Sequence, residues 1–361
     1  MFGALPSKAQ VRTTTYESFE GEEHMRVADW IADYLWEIGV SRVHGLMGGG
    51  AAGLNDGFIK HHGIEYICYH HEQGAGHAAI GEAKYTGQLS VVNPTTGCGG
   101  TNCVTSVLGA WQDGVPVLFL SGNVRHDNTA HWLKMYKDVR VRHYGAQEHH
   151  IVDTIKSITK FYSFITHPKD VEPTIKMAID AAIKGRPGPV WVDIPSDIQA
   201  AQMPDTPSLD YQPSFEQLQY FDYKKMYFQL TNAERPVVLA GVGIRQADCV
   251  DFFMHFVEEF KLPFVTTYGA QDYAPFDHPL NMGAVGLRGS RAGNFVMQNA
   301  DLLLILGSSM GAPVIGYDSK QFSPQSYKIQ VDLEEDELNK NVIYVDEKIQ
   351  LQLNHFFRGI L

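Results

Sequence analysis

Cysteine is scarce. The 361 residues hold 4 cysteines, at positions 68, 98, 103 and 249, and none forms a C-x-x-C pair. That spacing argues against a disulfide framework or a cysteine-ligated zinc site, and the chain reads as reduced and cytoplasmic. Long apolar runs are also missing, and the first two dozen residues lack the apolar core of a signal peptide. No membrane contact is expected. Positive charge is in deficit, 29 Lys and Arg against 41 Asp and Glu for a net charge of −12, with no basic stripe. This argues against a nucleic-acid surface. Histidine is plentiful, with pairs at 61–62, 70–71 and 149–150, yet no H-E-x-x-H spacing occurs. Adjacent residues point apart on a strand, so a dedicated zinc site is not expected.

What is present is globular composition, 44% hydrophobic and 19% charged, at a length that suits two domains. A helical repeat begins near Met25 and runs through Val27, Ile31, Leu35 and Ile38. A strand at 42–46 enters the turn Gly48-Gly49-Gly50. Strands at 64–69, 89–93 and 115–121 then alternate with helices at 72–87 and 102–112. A helix at 171–184 and a strand at 189–194 close the first domain. Residues 201–221 carry Pro204, Pro207 and Pro213 with little periodicity and read as a linker. A second alternation follows, with strands at 236–240, 264–267, 301–306, 327–332 and 342–345 and an amphipathic helix at 249–260. Glu334 to Glu337 suit the first turn of a helix, and Phe252, Phe253, Phe256 and Phe260 suit a core stripe. Strict alternation of strand and helix means α/β architecture, here two doubly wound domains with parallel sheets. The boundaries are a polar extension at 1–24, domains at 25–200 and 222–361, and the linker between them.

Chemistry concentrates in two strand-to-helix junctions. One is Tyr69-His70-His71-Glu72-Gln73-Gly74-Ala75-Gly76, where a carboxylate starts a helix of small residues. An isolated Glu there would merely complement the helix dipole. The other is Asn93-Pro94-Thr95-Thr96-Gly97-Cys98-Gly99-Gly100-Thr101-Asn102, whose glycines let backbone approach a ligand. Neither domain has a G-x-G-x-x-G turn with a ribose-binding acid, which disfavours a generic dinucleotide module.

The ordered set resembles the thiamine diphosphate-dependent 2-keto-acid enzymes of the acetolactate synthase type. It comprises the H-E-Q junction, the T-T-G-x-G-G-T-N turn, the run from Val115 to Gly122, Gln147-Glu148, Ser157 to Lys160, and Gly185 to Pro195. The resemblance implies a pyrimidine-binding domain followed by the family's Rossmann-like central domain. It gives Glu72 the role of bonding the cofactor's aminopyrimidine nitrogen and exchanging a proton with it. Gly48 and Gly49 match the family's glycine loop, which faces the reaction centre of another subunit. Gly97, Cys98, Gly99 and Asn102 match the cofactor-side turn, Gln147 a substrate-side glutamine, and Lys160 a lysine near the access channel. His71, beside Glu72, is within reach of a substrate contact.

Departures from the family pattern set further expectations. Cys98 stands where the family has proline, and it is expected to be an inert buried thiol. The flavin-carrying synthases show R-F-D-D-R where this chain reads Gly307 to Val314 without arginine, so FAD is not expected, although Gly283, Gly286, Arg288 and Gly289 resemble the flavin-side loop. No G-D-G occurs, so the C-terminal diphosphate-binding domain is read as absent. Magnesium ligands are then expected from a partner subunit bearing that motif, with self-association through the pyrimidine-binding domains. The reaction class implied is decarboxylation of a 2-keto acid with ligation to a second carbonyl. A simple decarboxylase or C–C lyase subunit, or a non-catalytic relic of the fold, are the alternatives.

Overall fold

The computed structural model describes residues 25–212 and 221–361; the N-terminal extension 1–24 and the stretch 213–220 of the expected linker lie outside the described residues. The chain divides into two compact units, the first ending at Ser214 and the second beginning at Phe215. The segment read as a linker begins on the first unit. Met203 N–H donates to the Met25 carbonyl at 2.8 Å, and the Tyr211 hydroxyl donates to Asp180 at 2.6 Å.

The first unit is a six-stranded sheet of β1 (Arg42–Gly45), β2 (Glu65–Cys68), β3 (Ser90–Asn93), β4 (Val117–Asn123), β5 (Phe161–Phe164) and β6 (Val190–Pro195). Every pairing is parallel, in the order β2-β1-β3-β4-β6-β5. Successive side chains on a strand face opposite ways, so the two faces carry different cores. Val91, Leu118, Leu120, Val190 and Val192 pack beneath α1 (Val27–Glu37) and α2 (Ala52–Lys60). Val92, Phe119 and Trp191 pack on the other face under α3 (Glu72–Thr86), and the Phe119 and Trp191 rings stack at 5.0 Å.

The second unit repeats the design with β7 (Pro236–Ala240), β8 (Phe264–Thr266), β9 (Asn281–Ala284), β10 (Leu302–Leu306), β11 (Tyr327–Asp332) and β12 (Glu347–Gln350). Its order β12-β11-β10-β7-β8-β9, all parallel, is the doubly wound dinucleotide-fold order. Glu335, Asp336 and Glu337 form the first turn of the helix Glu335–Asn339, as their charge predicts.

Three sequence expectations need correction. The strand expected at 342–345 is a loop; Ile343 is buried there, and the edge strand β12 follows at Glu347–Gln350. An edge strand buries few side chains, and here only Ile349 is buried, so polar neighbours hide it in the sequence. The helix expected at 102–112 is α5 (Val104–Asp113), but the turn expected before it contains a further short helix, α4 (Cys98–Asn102), with the break at Cys103. The glycines of the expected turn therefore form a helical first turn. Within the phenylalanine stripe of the helix Val250–Glu259, Phe253 and Phe256 are fully buried while Phe252 is 40% exposed.

That difference sets an expected outcome. Phe256→Ala should destabilise the second unit by about 3–5 kcal/mol, whereas Phe252→Ala should cost about 1 kcal/mol or less. Urea unfolding followed by far-UV dichroism checks it, and equal losses would contradict the packing.

Candidate active site

The strand register places the site. Gly45 of β1 pairs with Cys68 of β2 on one side and with Asn93 of β3 on the other. The carboxyl ends of three adjacent strands are therefore level, and the turns that follow bring Gly48, Glu72 and Gly97 into one layer. The chain's connections change direction at β1 and β3, and in open α/β sheets ligands bind at such a switch point.

Glu72 opens α3 behind an extended His71, whose Nδ1 accepts the Gln73 N–H at 3.2 Å. His71 is thus the helix cap. The Glu72 side chain is buried, 6% exposed, and its Oε2 accepts from Asn102 Nδ2 at 2.9 Å. Oε1 takes no hydrogen bond among the described residues. A Cβ at Gly99 would lie 3.1 Å from Oε1 and 2.7 Å from Thr95 Cγ2. The lack of a side chain at 99 is what lets α4 approach the carboxylate. A helix of small residues helps in the same way, since a Cβ at Gly76 would strike Ser106 of α5.

Gly97 has φ +56°, a left-handed value, and a Cβ there would collide with the Gln147 carbonyl. Gln147 itself is exposed with φ +58°. Backbone contact therefore brings these two expected residues together. Gly48 is extended, and a Cβ there would lie 2.5 Å from Thr95; Gly49 has nothing within 4 Å of that position. Thr96 Oγ1, buried between the two turns, has no hydrogen-bond partner. Glu72, Asn102, Gly48, Gly97, Gly99 and Gln147 thus gather at one end of the sheet, and Gly49 projects from it.

Cys98 and Lys160 differ from the rest. The Cys98 thiol is exposed, not buried, because it sits on the outer side of the first turn of α4. The buried thiol near the site is Cys103, whose Sγ donates to the Glu72 carbonyl at 3.6 Å; burial and then the Glu72 charge push its pKa up. Lys160 donates to the Lys184 carbonyl at 2.6 Å, just beyond the helix Val171–Ile183, and stands outside the cluster. Among the described residues no three of His, Cys, Asp or Glu gather in a way that could hold a metal.

Sequence reasoning gave no bracing role to the buried polar residues of these turns, although Asn93 and Glu148 stand in the quoted motifs. Asn93 accepts from Asn55 Nδ2 at 2.6 Å and donates to the Leu120 carbonyl at 2.7 Å. Asp193, on β6, accepts from Ser121 Oγ at 2.6 Å and Asn123 Nδ2 at 2.8 Å, and Trp191 Nε1 donates to Ser121 Oγ at 2.8 Å. Glu148 accepts the Tyr144 and Ala130 amides at 2.8 and 3.1 Å. The available signal was a lone Asn or Asp inside an apolar strand, as in Ser90–Asn93 and Val190–Pro195.

These features accord with similarity to known proteins. Residues 25–153 match the family described as "Thiamine pyrophosphate enzyme, N-terminal TPP binding domain", and residues 224–359 match the "Thiamine pyrophosphate enzyme, central domain". The chain belongs to the thiamine pyrophosphate enzyme family. It is 33% identical to the acetolactate synthase large subunit of Lactococcus lactis over 85% of this chain and 52% of that protein. It is 31% identical to the acetolactate synthase isozyme 1 large subunit of Escherichia coli, covering 91% of this chain and 55% of that one. A probable acetolactate synthase large subunit of Methanocaldococcus jannaschii is 30% identical over 88% and 53%. The chain therefore spans about half the length of these relatives. Among the described residues no helix is long and apolar enough to cross a membrane.

Burial lifts the Asp193 carboxyl from its ordinary 3.8 to about 7, against the pull of the Ser121 and Asn123 hydrogen bonds. The folded state thus holds a proton that the unfolded chain releases. Stability from the neutral form is complete below the unfolded value and is lost as pH rises through about 7. Asp193→Asn keeps the shape and removes the proton. Relative to the variant, the wild type should lose on the order of a few kcal/mol between about pH 4 and pH 7.5. Denaturation at stepped pH checks this, and a pH-independent difference would refute it.

Proposed function

We propose that the first unit is the aminopyrimidine-binding wall of an acetolactate synthase-like enzyme, which decarboxylates a 2-keto acid and joins the product to a second carbonyl. Glu72 carries the reading: a buried carboxylate at the sheet's switch point, one oxygen engaged by Asn102 and the other uncommitted. The residues fit the group. An uncommitted carboxylate oxygen could pair with a ring nitrogen of the group, and a Cβ at Gly99 would crowd that oxygen. When bound, thiamine diphosphate supplies the carbanion chemistry that a protein side chain lacks.

The remaining steps belong to the chain's own groups. Glu72 Oε1 holds and returns a proton at the pyrimidine nitrogen. Asn102 fixes which oxygen faces the ligand. Gly97 and Gly99 bring the backbone close, with Cys98 at the exposed outer side of that turn. Gln147 stands on the substrate side through its contact with Gly97, and Gly49 reaches toward a facing subunit. The diphosphate and its magnesium are assigned to a diphosphate-binding domain bearing G-D-G on a partner subunit. The match to the N-terminal and central domains supports assigning the aminopyrimidine wall to this chain. Self-association through the pyrimidine-binding domains completes the assembly. Four unpaired cysteines accord with a cytoplasmic setting. The run from Gly307 to Val314 offers no arginine to a flavin diphosphate, so the assembly is expected to be colourless.

Glu72→Gln keeps size and hydrogen bonding but cannot exchange the proton in the same way. Turnover of the assembled enzyme should fall about a hundredfold or more with little change in folding stability. Steady-state assay beside thermal unfolding checks it, and near wild-type turnover would sink the assignment. An absorbance scan of gently purified protein checks the second expectation; a stoichiometric flavin spectrum would overturn it.

A further inference from the structure

The mechanism above leaves Gln199 unused, although it is a fully buried polar side chain beneath the Gly48–Gly50 turn. It lies in the short helix Ser196–Gln199, just past β6 and roughly 150 residues from the turn in sequence. All of its polar atoms are engaged. Nε2 donates to the Gly50 carbonyl at 2.7 Å and to the Ile194 carbonyl at 2.7 Å. Oε1 accepts the Leu54 N–H at 3.1 Å. That amide is one of the unsatisfied donors at the start of α2, whose own N-cap residue Ala51 has no capping side chain. Gln199 therefore caps α2 from a distance and ties the turn to the end of β6.

The surroundings make this tie specific to one conformation. A Cβ at Gly50 would strike Thr96 Oγ1, and a Cβ at Gly122 would strike the Gly50 carbonyl. A Cβ at Gly53 would lie 2.8 Å from Gln199 Cβ. On the opposite side, Gly48 N–H donates to Asn55 Oδ1 at 3.3 Å, and Asn55 is held by Asn93. Gly50 is clamped and Gly48 tethered, while Gly49 alone has open space around it. An apolar side chain of equal volume would fill the Gln199 site but leave the Gly50 and Ile194 carbonyls and the Leu54 amide without this partner. The amide contributes direction instead of burial.

We infer that Gln199 is a positioning residue for the Gly48–Gly50 turn, holding Gly49 at the height from which it faces the reaction centre. The inference rests on the function proposed above only in its last clause; the clamp itself is a property of this chain. Two variants separate its bonds. Gln199→Met keeps the volume and removes all three hydrogen bonds. Gln199→Glu keeps the acceptor toward Leu54 but turns a carboxylate on the Gly50 and Ile194 carbonyls.

Amide hydrogen exchange on the full chain, read by NMR, is the first measurement. In Gln199→Met the Leu54 amide, and the Ala51 amide that donates to the Gly48 carbonyl at 3.0 Å across the clamped turn, should exchange about tenfold faster or more, with the ladder amides of β3 and β4 within about twofold of wild type. In Gln199→Glu, Ala51 should accelerate while Leu54 stays protected. Uniform acceleration across the unit, or no local change in the Glu variant, would overturn the clamp; should the Met variant fail to fold, the Glu variant decides. The second measurement is turnover of the assembled enzyme, where kcat should fall while the KM for thiamine diphosphate stays within about twofold. Local loosening without loss of kcat would overturn the positioning role. Full activity of Glu72→Gln would defeat the proposed function and leave the exchange result standing.

Discussion

One hydrogen bond, from Asn102 to Glu72, joins the turns that follow β3 and β2, and the rest of the site is arranged around it. A carboxylate that is 6% exposed needs a donor, because an unpaired buried charge costs several kcal/mol. The donor arrives on α4, and α4 can come that near only because position 99 has no side chain. Position 97 must then reverse the chain with φ +56° beneath the Gln147 carbonyl. The glycines on either side of Cys98 are thus consequences of where Glu72 sits.

Around that centre lies a ring of buried polar residues, Asn55, Asn93, Ser121, Asn123, Asp193 and Gln199, at the carboxyl ends of the strands. In the middle of an apolar sheet such residues are costly unless satisfied, and here each is bonded to a neighbour. Satisfied networks rigidify loops that apolar packing alone would leave with several arrangements. The second unit handles its own switch point differently. Gly241 and Gly243 pack directly against the backbone of Gly307, and the Tyr273 hydroxyl donates to the Gly241 carbonyl at 2.9 Å. Backbone contact closes there what polar side chains brace in the first unit.

The parallel α/β architecture was legible because its strands are buried on both faces and read as apolar runs such as Leu302–Leu306. Three of the four edge strands were not. Phe161–Phe164, Asn281–Ala284 and Glu347–Gln350 bury few side chains, so the period-2 signal that marks a strand is faint in them. The helix break at Cys103 escaped notice for another reason: three glycines near its start lower helix propensity, and only tertiary contact favours the helical turn there. The same contacts leave the Cys98 thiol exposed, where the small apolar character of cysteine pointed to burial.

By itself the sequence determined which residue types stand at the strand ends: a glutamate after β2 and glycines after β1 and β3. These are local matters of propensity and turn chemistry. Tertiary structure alone decided that Asn102 points at Glu72, that Gly97 lies under Gln147, and that Gln199 reaches the Gly48–Gly50 turn. Those partners are 30, 50 and 149 residues apart. No local pattern encodes such a distance; the parallel register of β1, β2, β3 and β6 brings them within hydrogen-bond reach.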